Sequence, residues 1–207
     1  MNKGLFITFE GIDGCGKTTQ IKKLEKKLEK ANKYYQLLRE PGGTIVGEKI
    51  RRILLDNGET SLQPKSELLL YSASRHQLYY EKISSILEAG GIVICDRFFD
   101  STIAYQGYGR GLNIDFVDNL NKFVTDGLTP DITFLLDISI EESSNRLNTN
   151  SGDTKDRIEN EDKKFYQKVR KGFLELARSK DRFIKIDGTK SEQTIANLIW
   201  NNIKKEI

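Results

Sequence analysis

Some residue types are nearly missing from the 207 residues: there are two cysteines, one histidine, one tryptophan and one methionine. Cys15 and Cys95 are too few for a disulfide framework and fit a reducing compartment. With His76 as the sole histidine there is no Cys/His cluster to hold a metal, and His76 reads as structural. Long hydrophobic runs are missing as well, and the chain opens straight into a strand without the apolar core of a signal peptide. A cytoplasmic protein with no membrane partner is therefore expected. Charge of one sign is not in excess: 33 basic against 30 acidic residues leave a net +3. That balance argues against a nucleic-acid surface and suits small anionic substrates. Internal repeats and low-complexity tails are not found, so residues 1–207 are expected to form one domain.

What the chain does contain is a phosphate-binding signature, Gly11-Ile12-Asp13-Gly14-Cys15-Gly16-Lys17-Thr18. Gly11, Gly14 and Gly16 leave room for backbone N–H groups to wrap an anion, and Lys17 adds a charge for the β/γ-phosphates. Thr18 offers a hydroxyl to Mg²⁺. The context suits the motif. Leu5–Phe9 is a short strand-forming run before it. Ile21, Leu24, Leu28 and Ala31 fall on one helical face after it, and Lys22–Lys30 supply a solvated one.

Four further apolar runs, Tyr34–Leu38, Ile92–Cys95, Ile132–Leu136 and Phe183–Ile186, alternate with helical stretches. Helices are expected over Ile45–Leu55, from Pro64 to about Glu88, over Asp115–Asp126, Ile140–Leu147 and Glu159–Ala177, and after an N-cap at Ser191. The pattern specifies an α/β fold of three layers, a five-stranded parallel sheet flanked by helices. Asn148–Asp156 is polar without an apolar anchor and reads as a mobile segment. Ala104–Gly111, dense in glycine and tyrosine, reads as a binding loop.

Ligands in such folds bind at the carboxyl ends of the strands. Gly11–Thr18, Glu40–Gly43 and Asp96-Arg97 all fall there. Asp96 suits a Walker-B-type metal aspartate or a simple cap. Arg97 suits a bidentate phosphate contact or a plain surface position. Tyr71 and Arg75, four apart, share a helical face and can stack on a base and bond its edge, or stand as a core tyrosine beside a solvated arginine. Trp200 falls off the apolar stripe of the last helix and has no evident job. Nor does Cys15, a small residue in a free position of the loop.

Phe9–Thr19, Arg39-Glu40-Pro41-Gly42-Gly43-Thr44, Ser72-Ala73-Ser74-Arg75, Asp96-Arg97-Phe98, Tyr105-Gln106-Gly107 and Asp156-Arg157-Ile158-Glu159 stand in the order found in bacterial thymidylate kinases, which the chain resembles over nearly its whole length. The resemblance implies a P-loop kinase fold with a lid near 148–157, MgATP as phosphoryl donor, dTMP as acceptor, and a homodimer. It implies a donor site of Gly11, Ile12, Asp13, Gly14, Cys15, Gly16, Lys17, Thr18 and Thr19, with Arg146 packed on adenine. Thr18 and Asp96 would serve the metal. For the acceptor it implies Tyr71 stacked on thymine, with Arg75, Thr102 and Gln106 around the base and Tyr105 against the deoxyribose. Arg51 and Arg97 would hold the phosphate, with Glu40 nearby, and Asp13 would meet the sugar 3′-hydroxyl or order the arginine and metal around it. Two departures stand out. The stacking position is usually phenylalanine, and the free loop positions hold no arginine. The cation on the transferring phosphoryl is then expected from the lid, as Lys155 or Arg157. A kinase for another nucleoside monophosphate and a P-loop switch are the competing readings.

Overall fold

The structure, a computed structural model, describes residues 4–58, 61–149 and 156–207. Its strands are β1 (Leu5–Glu10), β2 (Tyr35–Arg39), β3 (Ile92–Asp96), β4 (Ile132–Asp137) and β5 (Phe183–Asp187), all parallel, in the order β2-β3-β1-β4-β5. The continuous apolar runs follow from this placement. In β3, Ile92 and Ile94 enter one hydrophobic cluster, whereas Val93 and Cys95 enter the other across the sheet.

Helices α1 (Lys17–Lys30), α8 (Lys163–Ser179) and α9 (Glu192–Ile203) supply Leu24, Leu28, Val169, Phe173 and Ile199 to the first cluster. Helix α3 (Pro64–Leu78) and α6 (Ile114–Val124) supply Leu68, Leu78 and Val117 to the second. The remaining helices are α2 (Ile45–Leu55), α4 (Ser84–Glu88), α5 (Phe99–Thr102) and α7 (Ile140–Thr149). Caps explain several boundaries. Thr44, Asn113 and Ser191 each accept a bond from a first-turn N–H. Asp162 accepts from Phe165 N at 2.7 Å, so α8 begins at Lys163 rather than at Glu159.

The expected helix to Glu88 is present but interrupted. Helix α3 continues through a wide π turn, Tyr79–Ile83, into α4. A clearer difference lies at Ala104–Gly111. The stretch is not a loop: α5 runs into a π-helical segment, Ile103–Gly109. Its glycines serve close packing. A Cβ on Gly109 would lie 2.7 Å from Phe165 Cε2, and one on Gly172 of α8 would lie 2.7 Å from Tyr108 Cδ2. The two helical backbones approach because both lack side chains there.

Beyond β1 the chain crosses to the β2 edge, and after β3 it crosses back to β4. The direction of winding reverses between β1 and β3. Their carboxyl ends therefore open a crevice, which is where the functional residues gather.

Candidate functional site

Strand β1 delivers the chain into Gly11–Gly16, and α1 leaves it at Lys17. Gly11, Gly14 and Gly16 take φ of 134°, 75° and 99°, values that disfavour side chains. A Cβ on Gly11 would collide with the Leu136 carbonyl, so the loop is seated directly on β4. The first turn of α1 carries no acidic side chain and no side-chain cap, leaving its N–H groups and positive dipole end for an anion. Lys17 curls over its own loop, donating to the carbonyls of Gly11 at 3.2 Å and Ile12 at 3.4 Å. Ser143 of α7 braces the loop from outside, donating to the Asp13 carbonyl at 2.7 Å.

The loop floors a cleft of about 900 Å³. Asp13 through Thr19 line it, with Asp96 and Arg97 from the end of β3 and Arg39, Glu40 and Arg51 from the β2 side. At the far end Arg146 bridges two loops, donating to Gly188 O at 3.0 Å and Gly14 O at 3.4 Å, and pairing with Glu142 at 2.7 Å. Ile12 is buried in the core beneath, and Cys15 is buried there too although it also borders the cleft.

A second pocket, about 110 Å³, opens off the cleft. Tyr71, Phe98, Thr102, Tyr105 and Gln106 line it over the apolar Leu55 and Ile158. Asp13, Glu40, Arg51, Arg97 and Asp156 border both spaces. Arg97 is the hinge between them. It takes φ 67°, donates to Asp13 Oδ1 at 2.6 Å and to Gly11 O at 2.9 Å, and lies 5.2 Å over the Tyr105 ring. Tyr105 in turn donates to Asp13 Oδ2 at 3.2 Å. Burial works against ionisation of Asp13, yet Arg97 and Lys17 hold its carboxyl below the usual range.

Three expected residues sit elsewhere or lie outside view. Arg75 does not line the pocket. Its guanidinium, 1% exposed, is buried behind the wall, where it bonds Glu40 Oε2, Asn121 Oδ1 and Thr102 Oγ1, each at 2.8 Å. A buried arginine needs a counter-charge and filled N–H groups, and α3 finds both here. Burial raises the Glu40 carboxyl above its ordinary value, with Arg75 pulling the other way. Arg157 points away from the cleft, pairing with Glu67 at 2.7 Å and donating to the Leu54 carbonyl at 2.8 Å. Lys155 lies outside the described residues, as does most of the expected lid.

Gln106 donates to Glu67 Oε1 at 2.8 Å. That carboxylate also takes Arg110. Glu67 was not apparent from the sequence; its spacing, four residues before Tyr71 on α3, is the only signal that pointed to it. Glu10, Asn121 and Ser101 were missed too. His76 bonds the Val124 carbonyl at 3.0 Å, tying α3 to α6. Trp200 is half-buried under the Lys27 ammonium, 5.7 Å from the ring, so Lys27 belongs to the α1–α9 contact rather than to a solvated face.

The geometry is thus an anion loop, a long cleft and a small aromatic side pocket meeting at one arginine. The family model for thymidylate kinase matches residues 9–199. A thymidylate kinase of Caldanaerobacter subterraneus subsp. tengcongensis is 50% identical over 204 residues, covering 98% of this chain and 96% of that protein. Those of Halothermothrix orenii and Thermoanaerobacter sp. strain X514 are 46% and 48% identical, each over 98% of this chain and 97% and 98% of theirs. A match of this extent, on a loop, cleft and pocket so arranged, makes the chain a member of the thymidylate kinase family, a phosphotransferase of the nucleoside monophosphate kinase type.

Proposed function

We propose that the chain transfers the γ-phosphoryl of ATP to dTMP in an in-line displacement at the Arg97 junction. The observation that carries this reading is that Asp13, Glu40, Arg51, Arg97 and Asp156 border both the cleft and the side pocket, so two nucleotides entering from opposite sides meet end to end. A phosphate oxygen of dTMP forms the new P–O bond, the bond from the γ-phosphorus to the β–γ bridging oxygen breaks, and ADP leaves with that electron pair. The attacking oxygen is already anionic, so positioning and charge stabilisation suffice without a strong base.

In this reading Gly14–Thr19 hold the donor phosphates and Arg146 packs on adenine. Lys17 swings from its loop carbonyls to the β/γ-phosphates. Arg51 and Arg97 take the acceptor phosphate, and Asp13 orders Arg97. Tyr71 stacks on thymine, Thr102 and Gln106 face its edge, and Tyr105 closes on the sugar. Arg75 acts from behind the wall by holding Glu40 and Thr102. The residues fit Mg²⁺: the Thr18 hydroxyl is exposed at the start of α1, Asp96 faces the same cleft, and among the described residues no group of three acidic, His or Cys side chains forms a cage. Mg²⁺ takes one or two protein groups and otherwise phosphates and water. It would supply neutralisation of the charge developing between donor and leaving group. Lys155 or Arg157 would complete the cation set, Arg157 by exchanging Glu67 for the phosphoryl group. Exposed apolar side chains on the adjoining helices, Ile45 and Ile53 of α2, Leu69 of α3 and Phe123 of α6, support a homodimer through that face. No described helix is long and apolar enough to cross a membrane, and we assign the enzyme to the cytoplasm.

Lys17→Ala should abolish transfer while circular dichroism stays native. Near-normal turnover in that variant sinks the donor site. Comparing dTMP, dUMP, UMP and AMP as acceptors tests the side pocket; a preference for AMP overturns it.

A further inference from the structure

Glu10 is a buried carboxyl beside the site that no step above uses. It ends β1, immediately before the phosphate loop, and is fully buried. Its two oxygens both point at the turn that carries Arg97. Oε1 accepts from Phe98 N at 2.8 Å and Oε2 accepts from the Ser101 hydroxyl at 2.6 Å. The same Ser101 oxygen accepts from Arg97 Nη1 at 3.2 Å. The backbone adds a third tie, Arg97 N to the Phe9 carbonyl at 3.0 Å.

These bonds matter because Arg97 is left-handed, with φ 67°, a conformation that side-chain-bearing residues seldom hold unless their surroundings impose it. A relaxed turn would swing the guanidinium off Asp13 and away from the junction of the two pockets. A buried carboxyl is an expensive way to fill a core position. Burial, and then the nearby Asp100 charge, push Glu10 up to about 8. An apolar residue would be accommodated more cheaply there, but it could not accept from both Phe98 N and Ser101.

We infer that Glu10 is a positioning residue for phosphoryl transfer: it clamps the Phe98–Ser101 turn so that Arg97 stays left-handed and aimed at the transferring group. The inference rests on the reading of Arg97 as a phosphate-holding residue.

The experiment measures kcat/KM for dTMP in Glu10→Ala and Glu10→Gln, each in the Arg97 enzyme and in Arg97→Ala, with melting temperature followed in parallel. Arg97→Ala alone tests the underlying reading: full activity there removes Arg97 from the reaction, and the clamp with it. With Arg97 present, Glu10→Ala should lose roughly tenfold or more, the scale of a misplaced catalytic group. Glu10→Gln keeps the acceptor for Phe98 N and should lose less, roughly threefold. In the Arg97→Ala background both should cost less than about twofold, because there is no guanidinium left to aim. An impaired Arg97→Ala enzyme in which Glu10 substitutions cost the same factor as before overturns the clamp and leaves the Arg97 reading standing. Should Glu10→Ala fail to fold, the nearly isosteric Glu10→Gln decides by the same comparison.

Discussion

At the scale of single residues, two buried carboxyls govern the site, and each makes its own prediction. Glu10 is raised from 4.5 to about 8, so the folded chain keeps a proton that the unfolded chain releases. Its contribution to stability is full below about pH 4.5 and is lost as pH rises toward 8. Glu10→Gln removes that titration. The melting temperature of the variant should gain on that of the parent steadily from pH 5 to pH 8 and level off above; a constant difference across that range refutes the assignment. Glu40 is held by Arg75, whose guanidinium lies 5.5 Å over Phe98. Arg75→Met strands that carboxyl and should cost about 3–5 kcal/mol in denaturant unfolding. Removing both partners, as Glu40→Met with Arg75→Met, should cost clearly less than Arg75→Met alone. These pairings were not legible in the sequence. Tyr71 and Arg75 do lie four apart, but that spacing cannot say whether a guanidinium faces a pocket or a buried carboxylate from another strand end.

At the scale of elements, the helical stretch from Phe99 to Gly109 shows why local composition misleads. Gly107 and Gly109 within it, and Gly111 just after it, look like chain breakers in sequence. Two of them instead let α8 and Ile114 pack against the segment, and only Gly111, with φ 76°, marks a turn. Gly172→Ala is the test. Alanine raises helix propensity by about 1 kcal/mol, but its Cβ would sit 3.1 Å from the Ala104 Cα, which cannot rotate away. Overpacking of this kind costs about 1–3 kcal/mol. The variant should be net destabilised and bind dTMP more weakly, since Tyr105 and Gln106 ride on the displaced segment. An unchanged KM for dTMP would show that the segment does not set the pocket. Strand positions and helix starts, by contrast, were readable, because apolar periodicity and caps such as Thr44 and Ser191 act over a few residues.

At the scale of the whole molecule, the winding reversal between β1 and β3 brings the phosphate loop, Asp96 and the side pocket together at the carboxyl ends of the strands. Two ligands then share one border. Binding to the native state raises stability by about 2.7 kcal/mol at a hundredfold excess over Kd. Thermal denaturation should therefore rise with dTMP alone and rise further with a non-hydrolysable ATP analogue. Arg146→Ala should erase most of the second increment and leave the first, because Arg146 lies only in the larger cleft. Loss of both increments would mean that Arg146 holds the fold and not the donor.

The sequence by itself determined the parallel α/β sheet, the phosphate loop and the strand ends where ligands gather. Each rests on short-range physics: alternation, apolar runs, glycine at tight turns and helix capping. Only the tertiary structure decided that Arg75 is spent on Glu40, that Arg157 pairs with Glu67, and that Glu10 grips the turn bearing Arg97. Those are two ion pairs across 35 and 90 positions of chain and a carboxyl-to-backbone hydrogen bond across 88. A long side chain with several possible partners selects among them only when the fold has closed and burial has made an unpaired charge costly.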